Sequence, residues 1–141
     1  MLNYMKIVLP AQSKNEALSR GMVGAFAVEL PFTVEDINDI KTAVSEAVTN
    51  AIVHAYSFDK EKEITIECYL NEQTLEVHVK DDGIGIENVE EAMQPFYTSK
   101  PNEERSGMGF TIMGTFMDSL KVVSKAGEGT EVIFTKKVKN V

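Results

Sequence analysis

The chain has 141 residues, 43% hydrophobic and 26% charged, with a formal net charge of −8; that is enough for one globular domain over residues 1–141 with a real core and leaves little room for an appended module. The acidic balance opposes binding to nucleic acid phosphates, so no direct nucleic acid partner is expected, while a basic protein partner is compatible with it. A lone cysteine cannot form an internal disulfide, and the sequence holds neither a signal-like segment nor a run of about 18 apolar residues, so the expected setting is cytoplasmic with no membrane contact.

Residues 5–9 read as a short strand ended by Pro10, and residues 14–30 as a helix with Leu18, Met22, Ala25, Phe26 and Leu30 on its buried side, stopped by Pro31. Thr33 is placed to cap a second helix, with Asp36 at its third position favouring the positive end of the dipole. Along that helix Ile37, Ile40, Val44, Ala47, Val48, Ala51 and Ala55 form an apolar stripe. A second stripe is less ordinary. Glu46 is the only charged residue between positions 42 and 57, and Asn50 and His54 follow it at intervals of four. Such spacing drifts by only about 40° per step, so all three groups share one side of the helix. The small residues around them predict that something other than water covers that side; the alternative is an ordinary surface helix.

Residues 64–70 and 75–81 alternate with period two about a polar turn, an antiparallel hairpin in which Cys68 is a buried structural thiol. In its second strand Leu75, Val77 and Val79 hold the apolar phase, His78 takes the solvated one, and Asp81 falls on the apolar side. A carboxylate there is costly unless a donor meets it or the strand has already ended. Residues 107–117 read as a helix opened by glycines, and residues 120–124 and 130–138 as a last strand pair. The order of elements argues for a two-layer α/β sandwich, a mixed sheet covered on one face by helices.

Six of the nine glycines form Gly-x-Gly pairs: Gly83 and Gly85, Gly107 and Gly109, Gly127 and Gly129. The first follows Asp81 in an Asp-Asp-Gly sequence that reads equally as a plain turn or as backbone brought close to a ligand. The middle pair opens a helix, where free N–H groups favour phosphate oxygens, and Lys100 and Arg105 precede it in a loop-like stretch over residues 94–106 suited to a phosphate-covering lid. A Walker A loop, a Gly-x-Gly-x-x-Gly motif and a Cys/His zinc cluster are all missing from the sequence.

Together these residues resemble the GHKL superfamily of ATPases and kinases with the Bergerat ATP-binding fold. Glu46 to Asn50 is similar to its N box, Asp81, Gly83 and Gly85 to its G1 box, Gly107 and Gly109 to its G2 box, and Thr130 to its late adenine-site threonine. The resemblance implies ATP or ADP with Mg²⁺ as cofactors. It implies Glu46 as general base, Asn50 as a metal oxygen, Asp81 as acceptor of the adenine amino group, and Lys100, Arg105, Ser106, Gly107, Met108 and Gly109 around the phosphates. Within the superfamily, residues 44–51 and 106–113 are similar to the anti-sigma serine kinases, the sporulation branch ahead of the stress-response branch. That likeness implies a sigma factor, an anti-anti-sigma protein phosphorylated on serine, and a homodimer, with Arg20 and Arg105 as partner contacts; Arg105 has two competing roles. A water-attacking ATPase and a sequestering module without chemistry are the other classes.

Overall fold

The computed structural model describes residues 1–94 and 109–139. In chain order the elements are β1 (Asn3–Pro10), α1 (Lys14–Ala27), α2 (Val34–Asn50), a π-helical turn (Ala51–Ala55), β2 (Glu63–Leu70), β3 (Thr74–Asp81), a single-turn α3 (Val89–Ala92), α4 (Gly109–Phe116), β4 (Ser119–Ser124) and β5 (Thr130–Lys137).

The five strands lie in the order β1-β2-β3-β5-β4, and every pairing is antiparallel. The expected two layers are present, but the expected mixed sheet is a purely antiparallel one. Two helices separate β1 from β2, so the chain re-enters the sheet from the end at which it left and pairs in the opposite direction. The β4–β5 hairpin then inserts β5 between β3 and β4, which run the same way without touching.

The predicted phases of the hairpin hold: Ile66 faces Val79, Cys68 faces Val77 and Leu70 faces Leu75 across the ladder. These side chains and Phe134 are buried against Val23, Ile40, Val44 and Val48 from the helices. Burial pushes the Cys68 thiol up to about 12, so it stays protonated and inert. The capping box of α2 is complete, Asp36 N–H donating to Thr33 Oγ1 at 3.0 Å and Thr33 N–H to the Asp36 carboxylate at 3.3 Å.

The face of α1 differs from expectation. Ser19, Val23, Gly24 and Ala27 are buried, whereas Leu18 and Ala25 point outward, and the helix ends at Ala27. Ser19 can turn inward because its hydroxyl donates to the Asn15 carbonyl at 2.6 Å, and Gly24 leaves room for the Lys41 stem from α2. The buried Lys136 of β5 ties the helical layer together, its Nζ donating to the Phe116 carbonyl at the end of α4 at 2.5 Å and lying 3.4 Å from Asp39 of α2. On the other sheet face, Lys80 and His78 sit among Glu67, Glu76 and Glu131. Among the described residues no helix is long and apolar enough to cross a membrane.

Candidate functional site

The second stripe of α2 is covered by the start of α4. Gly109, the first residue of that helix, is buried, and a Cβ on it would stand 3.1 and 3.2 Å from the Asn50 amide atoms and 3.3 Å from Glu46 Oε2. A side chain on this residue would fit only if the Asn50 and Glu46 side chains gave way by a few tenths of an ångström, so glycine allows the closest approach to both groups. An acid and an amide are thereby held beside the described start of α4.

Next to this contact lies a cavity of about 560 Å³, within the ordinary range of small-molecule sites. Its wall includes Asn50, His54, Asp81, Gly85, Gly109 and Thr130. Glu46 is not part of the wall and meets it through Gly109. Residues expected from four separate stretches of sequence therefore meet around one space.

Asp81 ends β3 in the apolar phase, opposite Thr130 at the start of β5. Of the two options left by the sequence, the strand has not ended before Asp81, and it is the second that holds: donors meet its carboxylate. Gly83 N–H donates to Oδ1 at 2.9 Å. Desolvation nonetheless raises the Asp81 carboxyl to about 6, outweighing the backbone N–H groups of Gly83 and Thr130, which favour the anion; the neighbouring Asp82 raises it further. The protein keeps a carboxylate in a place where its charge is disfavoured.

Gly83 fits tightly behind Asp81, since a Cβ there would collide with the Ala55 carbonyl oxygen. Gly85 has a φ of +74° and abuts the backbone of Lys125. Thr130 Oγ1 is 2.8 Å from Ser124 Oγ, which donates to the Gly129 carbonyl at 2.7 Å and accepts from Ile86 N–H at 2.8 Å. Ser124 so fastens the loop after β3 to the β4–β5 turn. Sequence reasoning passed over it, and its only signal was a hydroxyl residue at a strand end.

Tyr56 and the π-helical turn were also missed. The Tyr56 hydroxyl donates to the Glu63 carbonyl at 2.6 Å and accepts from Asp82 N–H at 2.7 Å. Burial raises its phenol above the ordinary value, Asp82 N–H partly offsets this, and the Asp81 and Asp82 carboxylates add to the rise. His54, given no role by the sequence, belongs to the cavity wall. Arg20 lies on α1, half-exposed, with Nη1 2.5 Å from the Glu16 carboxylate. Lys100, Arg105, Ser106, Gly107 and Met108 lie outside the described residues, as does nearly all of the expected lid.

The donor set suits a Mg²⁺ ion bound chiefly through phosphates and water, because such an ion needs few protein oxygens and the Asn50 amide faces the cavity beside the Gly109 cradle. Among the described residues no group of three His, Cys, Asp or Glu side chains could hold a metal ion unaided.

Residues 9–136 match the histidine kinase-like ATPase domain. The chain is similar to the anti-sigma F factor of Clostridium perfringens (strain SM101 / Type A), 54% identical over 98% of this chain and 99% of that protein. It is also similar to the anti-sigma F factor of Oceanobacillus iheyensis, 45% identical over 98% and 94% of the two chains. Among solved structures, the RsbU and RsbW domains of a Mycobacterium tuberculosis protein share the fold with a TM-score of 0.65 at 19% identity, covering 99% of this chain and 34% of that one.

Proposed function

The chain belongs to the histidine kinase-like ATPase domain family, and within it to the anti-sigma F factors, and on that premise we propose that it is an ATP-dependent protein serine kinase that also holds a sporulation sigma factor inactive. One observation carries the enzymatic part: Glu46 and Asn50 converge on the first residue of α4 beside a cavity that also contains Asp81 and Thr130. That convergence supports the reading of Glu46 as a base, Asn50 as a metal oxygen, the start of α4 as phosphate-facing backbone and Asp81 as acceptor for a nucleobase amino group.

Asp81 accepts a hydrogen bond from the adenine amino group, and its fixed carboxylate disfavours guanine, whose carbonyl would face the negative oxygens. Thr130 completes the base pocket; Gly85 and Gly83 allow the backbone to pass close to the nucleotide. Asn50 would hold Mg²⁺ through its amide oxygen, and the ion would supply charge neutralisation at the phosphates. Gly109, with Gly107, Met108, Ser106, Lys100 and Arg105 before it, holds the phosphate tail. Glu46 accepts the proton of an incoming serine hydroxyl as its oxygen bonds to the γ-phosphorus and the bond to the ADP oxygen breaks. The phosphoryl acceptor is an anti-anti-sigma protein. The working form is a homodimer, with Arg20 exchanging its Glu16 partner for a protein contact and Arg105 as a second candidate contact.

Incubation of the protein with labelled ATP and its antagonist protein tests this reading. Label on a serine of the partner is expected; release of free phosphate alone would make the chain a hydrolase, and no turnover would make it a sequestering module. Glu46→Ala is expected to keep Mg-ATP and sigma binding while transfer slows about 10²- to 10⁴-fold, the usual weight of a positioned base. Transfer at the parental rate by a folded Glu46→Ala protein would refute the assignment.

A further inference from the structure

Beyond Asn50 the helix widens. Tyr56 N–H donates to the Ala51 carbonyl at 3.0 Å, an i to i+5 bond that closes the π-helical turn. Turns of this kind are rare and are found mostly at functional sites. Here it ends in Tyr56, whose ring is buried and whose hydroxyl bonds at both ends to backbone: the Glu63 carbonyl at the start of β2 and Asp82 N–H just past β3. The Ala55 carbonyl accepts from Ile84 N–H at 3.2 Å, and Gly83 packs flat against that same carbonyl. Residues 82, 83 and 84, which directly follow Asp81, are thus each held against residues 55 and 56.

Packing alone does not require the hydroxyl. A phenylalanine ring would fill the same volume and ask for no partner, whereas a buried phenol must find one. This phenol has two, and one of them is the peptide adjoining Asp81. That peptide matters because the Asp81 carboxylate is aimed by a bond from Gly83 N–H, one residue further on. If the Asp82 N–H lost its acceptor, the 81–82 peptide would be free to turn, and the adjoining 82–83 peptide, which carries the Gly83 donor, would lose its fixed direction with it.

We infer that Tyr56 is a positioning residue for nucleotide choice: its hydroxyl fixes the Asp82 peptide and, through it, the direction in which Asp81 presents its carboxylate to the base. The inference rests on the reading that Asp81 meets the adenine amino group. Tyr56 is not among the residues that line the cavity. It sets selectivity by removing the rotational freedom that would let the carboxylate swing away from adenine or make room for a guanine carbonyl.

The test is Tyr56→Phe, with dissociation constants for Mg-ATP and Mg-GTP measured by calorimetry on the full chain and on Asp81→Asn alongside. Partial unfolding would lower both apparent affinities by one common factor and leave their ratio untouched, so the ratio separates positioning from mere stability. Tyr56→Phe is expected to contract the ATP-over-GTP preference about tenfold, the scale of one lost hydrogen bond, mainly through weaker ATP binding. Added to Asp81→Asn it is expected to change the ratio no further, because the two residues act through one contact. An unchanged ratio in Tyr56→Phe would overturn the inference, as would equal loss of both nucleotides through unfolding or otherwise. Failure of the underlying reading is seen elsewhere, in a parent protein that does not prefer ATP.

Discussion

Replacing Asp81 by asparagine should move stability and function in opposite directions. In the nucleotide-free protein, desolvation lifts the carboxyl from 3.8 to about 6. Each unit of such a shift corresponds to about 1.4 kcal/mol, so holding the ionised form costs roughly 3 kcal/mol as an upper bound and about 1–2 kcal/mol once the residual solvent screening at this partly buried position is allowed for. The sign follows from proton counting. Between about pH 4 and 6 the folded state binds more protons than the unfolded one, so the parent loses stability as pH rises through that window and carries the full penalty above it. An asparagine oxygen can still accept from Gly83 and Thr130 N–H without any charge to desolvate. At pH 7.5 the variant should therefore melt higher by roughly 3–10 °C, and the difference should vanish near pH 3.5. Its ATP affinity should fall, because the charge-assisted bond to the adenine amino group is worth about 2 kcal/mol, or roughly 30-fold. Thermal melts at the two pH values and calorimetric titration with Mg-ATP measure both effects. Unchanged ATP affinity would refute the adenine contact; a lower melting temperature at neutral pH would refute the strain argument.

Asn50→Ala should weaken Mg-ATP by about 10- to 100-fold while leaving metal-free nucleotide binding much less affected, since the amide acts through the ion; titration with and without Mg²⁺ separates the two. Gly83→Ala forces backbone to move, because the new Cβ meets the Ala55 carbonyl, and should cost about 1–3 kcal/mol in urea unfolding together with a clear loss of ATP binding. Unimpaired ATP binding in that variant would show that the loop tolerates displacement. His78 lies 2.7 Å from Glu76 and 2.8 Å from Glu131; burial works against its charge, but the two carboxylates prevail and raise its pKa above 6.5. Its stabilising effect over His78→Gln should be full below about pH 6.5 and disappear as pH rises through the native value. A gap that widens at pH 8.5 would reverse that assignment.

Much of this was legible because the informative residues break local rules in ways that burial periodicity exposes. Glu46 and Asn50 were conspicuous on a helix side with no other charge, and the structure covers that side with Gly109. Asp81 was conspicuous in an apolar phase, and it does point into the helical layer's cavity. The face of α1 was not legible in the same way. Counting Leu18 and Ala25 as core ignores that Ser19 can satisfy its hydroxyl on the preceding turn and that Gly24 admits the Lys41 stem; both effects depend on the neighbouring helix. The sheet's pairing was missed for a related reason, since strand order depends on where the β4–β5 hairpin inserts and no strand's own pattern encodes that.

The π-helical turn marks the limit most clearly. Ala51, Ile52, Val53, His54 and Ala55 have a composition that would serve an ordinary α-helix, and nothing in their spacing announces an i to i+5 bond. What selects the wider turn lies outside it: a glycine whose missing Cβ lets residue 83 reach the Ala55 carbonyl, and a phenol with backbone partners on two other segments. The same contacts hold in place a carboxylate that the fold would rather protonate. A chain selected only for stability would relax both the wide turn and the buried acid; their persistence side by side, tied by Tyr56, is the physical argument that this corner is built for a ligand.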